Sequence, residues 1–147
     1  MAGVVPFSRG LIERYVQHEE LKFLKDSDGD YVIPYGYSGG LGCALRFLLM
    51  ATGQNEEIYA VVVHSDRRIP REDWGKAILL CNTWNTEKRW PKAYLKYNED
   101  ESTGSIILEE QIDLEDGVHP ELFDAYTRRV MACAVSFWEW AHEEQGL

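Results

Sequence analysis

Three short stretches of this sequence combine residue types that could bind an ion or perform chemistry. In the first, Asp26, Asp28 and Asp30 alternate around Gly29, as acidic residues do at the start of a calcium-binding loop. The glycine stands one position too early, however, and Tyr37 occupies the position where a bidentate glutamate is required. Aspartate and glycine also form tight turns without a metal, so we interpret this stretch as a hairpin turn.

The other two stretches are a run of hydrolytic residue types and a glycine-rich loop. His64, Ser65 and Asp66 are the residue types of a hydrolytic triad, but neighbours on a strand point to opposite faces. The loop 38–42 contains three glycines but no lysine, and the run 43–52 after it favours a strand where a phosphate-binding loop needs a helix. We therefore predict no catalytic residue, no metal site and no cofactor, and we expect the protein not to be an enzyme.

The negative charge is concentrated near the carboxyl end. Residues 1–98 carry 13 Lys and Arg against 12 Asp and Glu, whereas residues 99–147 carry 2 against 13. Such a surface repels phosphate backbones, so we expect no nucleic-acid partner. It could serve solubility alone, or it could attract a basic partner.

Arg67, Arg68 and Arg71 form the one concentrated group of cations in the sequence. They could lie on a solvated loop, or they could contact an anion or an acidic partner. The acidic part of a second copy of the chain is one such partner.

Hydrophobic periodicity predicts the elements that position these residues. Helices are expected at 8–21, from Pro70 through about residue 84, and from His119 onward, while strands are expected at 31–37, 58–64, 92–97 and 106–114. The apolar run 43–52 could be a helix, but its place before a turn and another strand favours a strand. Adjacent strands imply hairpins, so we predict one α+β domain over residues 1–147, a two-layer antiparallel sheet with helices on one face.

The last predicted helix carries more aromatic surface than one face can hold. We expect its buried stripe to comprise Leu122, Tyr126, Val130, Cys133 and Phe137. Phe123 and Ala134 widen the stripe, and Trp138 lies beside Phe137, whereas Trp140 points elsewhere. Some of this aromatic surface either folds back over the sheet edge or contacts a second copy of the chain or another protein. The candidate ligand or partner surface therefore comprises Tyr35, Tyr37, Trp84, Asn85, Arg89, Trp138 and Trp140.

Bulk properties suit one soluble domain. The apolar runs are too short to cross a bilayer, and the amino terminus lacks the pattern of a secretory signal. Cys43, Cys81 and Cys133 are few, odd in number and far apart, so we expect small buried side chains and not a disulfide framework. These features favour a cytoplasmic protein with no membrane partner.

Two segments resemble a known family. The run Cys81-Asn82-Thr83-Trp84-Asn85, followed by 89–95 (Arg-Trp-Pro-Lys-Ala-Tyr-Leu), is similar to the YbjN-like domain family, as is the acidic segment 114–118 before a long helix. The resemblance implies a fold like that of type III secretion chaperones, which are small, acidic and usually dimeric, and it brings no catalytic residues. We therefore expect a non-catalytic protein-binding, chaperone-like or regulatory homodimer. The alternative is a small-ligand-binding sensory or regulatory protein.

Overall fold

An antiparallel sheet and three helices form two layers in the computed structural model, which describes residues 3–100 and 102–147. A 3-10 turn at Arg71–Asp73 precedes the second helix, and a π-helical turn at Trp140–Glu144 extends the third. The elements are α1 (Arg9–His18), β1 (Leu24–Lys25), β2 (Tyr31–Ser38), β3 (Cys43–Thr52), β4 (Ile58–Ser65), β5 (Ile69–Pro70), α2 (Trp74–Glu87), β6 (Lys92–Tyr97), β7 (Thr103–Asp113) and α3 (Pro120–Glu139).

The sheet runs in the order β1-β2-β3-β4-β7, and the two remaining short strands both pair with β7. Gly104 of β7 lies opposite Ile69 of β5 and also opposite Tyr97 of β6, so β5 and β6 flank β7 on opposite sides. Every pairing is antiparallel, as the hairpin interpretation predicted. The expected fold class is therefore confirmed.

Strand β3 resolves the ambiguity over residues 43–52, because this segment is a strand. Leu45, Phe47 and Leu49 are at most 1% exposed, whereas the alternate residues Arg46, Leu48 and Met50 are exposed or only half-buried. That alternation sends every second side chain into the core beneath the helices. It leaves the intervening side chains on the other face of the sheet, which we call the open sheet face.

Helix α1 follows the sequence prediction closely. The Leu11 N–H donates to the hydroxyl of Ser8, which caps the helix as expected. The side chains Leu11, Ile12, Tyr15 and Val16 are buried against the sheet. Among residues 3–100 and 102–147, no helix has the length and apolar character needed to span a bilayer.

Helix α2 begins later than predicted. Pro70 was expected at its first position, but it lies in β5 opposite Thr103 of β7. Ile69 beside it is 1% exposed, so burial of this side chain holds the segment in the sheet. The 3-10 turn then leads into the helix at Trp74.

The buried face of α3 also differs from the prediction. Leu122, placed in the predicted stripe, is 62% exposed, whereas Thr127 is 0% exposed. The Thr127 hydroxyl lies 2.9 Å from the carbonyl of Phe123 and 2.8 Å from the hydroxyl of Tyr59. Because these bonds satisfy the hydroxyl, a polar residue occupies the core, and the buried stripe is rotated toward it.

Trp138 was predicted to lie on a partner surface, and this prediction is wrong. Both Phe137 and Trp138 are 0% exposed, and their rings meet edge to face with centroids 5.4 Å apart. Helix α3 is buried over a wide arc, so one copy of the chain covers both rings. Only Trp140 of the three aromatic residues is partly exposed.

The aspartate turn is built around an arginine. Asp26 accepts hydrogen bonds at 2.9 Å from the N–H groups of Asp28 and Asp30, as an Asx turn does. Arg9 donates to the carbonyl of Asp28, forms an ion pair with Glu56 and lies 3.9 Å from the buried carboxyl of Asp30. Burial raises the pKa of Asp30, and Arg9 opposes that rise. The guanidinium thus supplies the positive charge beside this turn.

We expect the substitution Arg9→Met to lower the free energy of unfolding by about 1–2 kcal/mol, because it removes a hydrogen bond and leaves Asp30 without its cation. Urea denaturation measures the change. Lys22→Met is the control, since Lys22 is exposed and forms no ion pair within the described ranges. Equal losses in the two variants would contradict this account, as would a rise in Tm of the wild type on addition of calcium.

Candidate functional site

The structure separates the three side chains of the sequence 64–66. Asp66 exchanges hydrogen bonds with the backbone of Ala44, and the Ser65 hydroxyl accepts from the N–H of Arg67. His64 lies on the open sheet face. Burial is the main cause that lowers the pKa of His64, and the positive charge of Arg46 lowers it further. These contacts form a strand end and a turn, and they bring no nucleophile to a base.

The glycine-rich loop 38–42 packs against the end of α3. A Cβ atom added to Gly42 would lie 2.6 Å from the ring of His142, and one added to Gly40 would lie 3.0 Å from the carboxylate of Glu143. Gly42 also has a φ of +68°, which other residues rarely adopt. Close packing and backbone geometry therefore account for these glycines.

The three arginines of the predicted cationic group have different neighbours. Arg68 lies 3.7 Å from the carboxylate of Asp100, while the guanidinium of Arg71 lies 5.0 Å from the ring centroid of Trp74. The backbone of Arg67 belongs to the turn after β4. Their contact with an anion or an acidic partner remains a prediction.

A groove of about 610 Å³ lies between the end of α2 and the outer side of α3. We call it the tryptophan groove. Its wall from α2 and the following connection contributes Trp84, Lys88, Arg89 and Trp90. Its wall from α3 and the π-helical turn contributes Arg129, Cys133, Ser136, Glu139, Trp140, Glu143 and Glu144.

Packing between the two walls fixes the floor of the tryptophan groove. Trp84 is 4% exposed, and its indole N–H donates to the carbonyl of Pro91 at 2.9 Å. Its ring lies 5.2 Å from Phe137 and 5.6 Å from Trp140, centroid to centroid. Trp90 meets Tyr126 edge to face at 6.3 Å. Trp84 is thus held by the core, whereas Trp90 and Trp140 are only half-buried.

The charged side chains around the tryptophan groove carry both signs. Three are cationic and three are carboxylates, and all six are exposed. Within the part of the chain that the structure describes, none of them forms an ion pair with another residue. They are Lys88, Arg89, Arg129, Glu139, Glu143 and Glu144.

Asn85 has a structural role beside the groove. Its amide nitrogen donates to the carbonyl of Ala93 at 2.9 Å, and its amide oxygen accepts from the N–H of Ala93 at 3.0 Å. The side chain thereby joins the end of α2 to β6, as its position near the helix exit suggested. Tyr35 and Tyr37 lie on β2, outside the lining of the groove, so the structure does not bring the predicted aromatic set together.

We expect Asn85→Leu to lower the free energy of unfolding by about 1–3 kcal/mol, because it leaves the Ala93 N–H and carbonyl without their partner. Asn82→Leu is the matched control on the same helix, since Asn82 is exposed. Urea denaturation of both variants measures the difference. Similar values for the two variants would show that the Asn85 contact contributes nothing to stability.

The thiols of the core are protonated and covered. Burial raises the pKa of Cys43 to about 11 and that of Cys81 to about 12. A thiol needs its thiolate form to act as a nucleophile, so neither residue is suited to that role at neutral pH. Cys133 departs from the sequence prediction, because it is half-buried and lines the tryptophan groove.

Sequence reasoning identified Trp84, Arg89 and Trp140 but missed most of the α3 wall. Arg129, Cys133, Ser136 and Trp140 recur at spacings of four, three and four, so they share one helix face. This periodicity could have revealed a second stripe beside the buried one. Its mixed polarity conceals it, because a helix face is recognised in a sequence from its apolar positions.

Fold and groove together describe a small α+β domain with one concave face between α2 and α3. The model of a family described as "Putative bacterial sensory transduction regulator" matches residues 8–143. Since the match covers most of the sequence, the chain belongs to this family, the YbjN family. The description names a regulator and no catalysed reaction.

A solved structure supports the fold. The similar chain is described as "Crystal structure of YbjN, a putative transcription regulator from E. coli", and the TM-score is 0.74. The superposition covers 97% of this chain and 96% of that chain, at 10% sequence identity. At such identity the likeness concerns the fold alone. No protein of curated function matches the chain significantly.

Proposed function

We propose that this protein is a non-catalytic regulatory domain that binds a segment of another polypeptide in the tryptophan groove. The observation that carries the proposal is an aromatic floor bordered by six charged side chains without ion pairs among the described residues. Half-buried tryptophans offer large apolar contact area, which is typical of residues that dominate binding energy. Charges on the border of such a site select partners more than they add affinity.

The family description agrees with a regulatory role. A regulator needs a binding surface and no reaction centre, and the residues lining the groove include no histidine. Cys133 and Ser136, its two potential nucleophiles, therefore have no imidazole beside them to act as base.

Selection of a random peptide library tests the proposal. The library is panned on the intact protein and, in parallel, on the variant Trp140→Ala. We expect peptides that bind the wild type and lose at least about 30-fold in affinity for the variant, as for an aromatic side chain central to an interface. Recovery of no binding peptide, or of peptides that bind both proteins equally, would overturn the proposal.

A small zwitterionic molecule is the second candidate ligand. The volume of about 610 Å³ falls within the range of small-molecule sites, and both signs of charge border it. Thermal-shift measurements against amino acids and nucleotides test this candidate. A rise in Tm that Trp140→Ala abolishes, together with a failed peptide selection, would favour it over a polypeptide.

We also propose that the protein is a homodimer that associates through the open sheet face. The aligned residues Val32, Leu48 and Val62 are half-buried on this face, whereas the neighbouring Ala60 and Ile107 are only 2% and 4% exposed. The helices contact the opposite face, so the exposed parts of Val32, Leu48 and Val62 are available to a second copy.

Light scattering after size-exclusion chromatography measures the mass. We expect a dimer for the wild type and a monomer for Leu48→Arg, because a charge at the centre of an apolar interface costs several kcal/mol. Leu122→Arg is the control, since Leu122 is 62% exposed on α3. A monomeric wild type, or a dimeric Leu48→Arg, would contradict this proposal.

A further inference from the structure

The order of charges along the tryptophan groove specifies its ligand more closely. We propose that the bound segment is extended and zwitterionic, an inference that rests on the proposed function. It carries an acidic and a basic side chain four or five residues apart, with an aromatic or large apolar residue between them. The inference concerns the composition of the ligand, which the proposed function leaves open.

The cationic end of the groove lies near the middle of α3. Arg129 stands one helical turn beyond Tyr126, whose ring contacts Trp90. Lys88 and Arg89 immediately precede Trp90 on the facing wall. Lys88, Arg89 and Arg129 therefore belong to the same end of the groove as Trp90, and this end suits a carboxylate of the ligand.

The acidic end lies at the π-helical turn. Trp140 begins this turn, and its ring contacts Trp84 at 5.6 Å. Glu139 precedes Trp140, and Glu143 and Glu144 follow it by three and four residues, so all three carboxylates belong to this end of the groove. This end suits the ammonium or guanidinium group of the ligand.

The distance between the ends fixes the spacing of the ligand's charges. Arg129 and Glu139 are ten residues apart on α3, which corresponds to about 15 Å along a helix axis. An extended chain advances about 3.3 Å per residue, so four or five residues cover that distance. Between the ends lie Cys133 and Ser136, both uncharged. An apolar side chain of the ligand would lie over this part.

The same order of charges disfavours polyanions. A nucleotide or a nucleic acid would reach Lys88, Arg89 and Arg129 with its phosphates, but it would then meet the three carboxylates at the other end. A uniformly acidic or uniformly basic peptide meets the same repulsion at one end of the groove. A segment with both signs at the matching distance avoids it.

Four synthetic peptides test the inference, with binding to the intact protein measured by NMR titration. The first is acetyl-Gly-Glu-Phe-Ser-Phe-Lys-Gly-amide. The second has the same composition with Glu and Lys adjacent, and the others carry two Glu or two Lys at the charged positions. We expect the first to bind at least about tenfold more tightly than the other three.

A charge-reversed protein provides the matched test. In the triple variant Lys88→Glu, Arg89→Glu, Arg129→Glu we expect the preference to move to the peptide with two lysines. All three positions are exposed, and an unchanged Tm confirms that the fold is kept. Equal affinities for the four peptides would overturn the inference and leave the proposed function standing. Failure of all four, together with a failed library selection, would overturn both.

Discussion

Replacing Trp138 with alanine is expected to lower the free energy of unfolding by about 3–5 kcal/mol, because truncation of a fully buried aromatic ring leaves a large cavity. Trp138 is 0% exposed and packs edge to face on Phe137, which is itself 0% exposed. The loss is a large part of the stability of a typical domain, about 5–15 kcal/mol. Urea denaturation, monitored by circular dichroism, measures it.

Measuring this decrease in the free energy of unfolding at several protein concentrations distinguishes a core residue from an interface residue. If Trp138 belongs to the core of one copy, the decrease caused by Trp138→Ala is the same at low and high protein concentration. If it contributed to a dimer interface, the loss would change with concentration, because association is coupled to folding. Leu122→Ala is the control on the same helix. Since Leu122 is 62% exposed, we expect a change within about 0.5 kcal/mol.

Replacing Trp140 with alanine is expected to weaken binding of a selected peptide by about 30-fold or more, which corresponds to about 2 kcal/mol. Trp140 is half-buried and lies where the two walls of the tryptophan groove meet, in contact with Trp84 and Phe137. Its indole is therefore the aromatic surface that a ligand side chain would cover. Isothermal titration calorimetry with the selected peptide measures the change.

Trp74→Ala is the matched control for this loss. Trp74 is also half-buried and stacks on Tyr97 with centroids 4.4 Å apart, but it lies outside the groove. We expect peptide affinity to be unchanged in this variant. An equal loss from Trp74→Ala and Trp140→Ala would indicate a general effect on the fold and would contradict a specific site.

The strands could be predicted from the sequence because short polar turns separate β-prone runs. In β3 the alternation that buries Leu45, Phe47 and Leu49 is hidden in an almost continuous apolar run, so the strand was indicated by its place before a turn and another strand. Likewise, Ser8 before α1 and Pro120 at the first turn of α3 marked helix starts that the structure confirms. These are local signals, and each one is decided by neighbouring residues.

The buried face of α3 could not be predicted, because it depends on a distant partner. Thr127 is in the core since its hydroxyl meets that of Tyr59, which lies 68 residues away. A threonine in isolation is read as polar, so the predicted stripe moved toward Leu122. The prediction that Trp138 lies on a partner surface failed for the same reason. The sequence of α3 alone shows neither how wide an arc of the helix is buried nor which other elements cover that arc.

The tryptophan groove forms where two distant parts of the sequence meet. Its walls come from 84–90 and 129–144, and both sides are required before any concave surface exists. Sequence reasoning therefore identified single residues such as Trp84 and Arg89 without their arrangement. It also grouped them with Tyr35 and Tyr37, because aromatic content alone carries no information about position.

The indole N–H resonances of the five tryptophans test the central claim most directly. In a two-dimensional NMR spectrum recorded during titration with the selected peptide, we predict shifts for Trp84, Trp90 and Trp140. The resonances of Trp74 and Trp138 should stay unchanged, since neither lines the groove. Shifts confined to Trp74, or no shift of any indole at saturating peptide, would contradict polypeptide binding in the tryptophan groove.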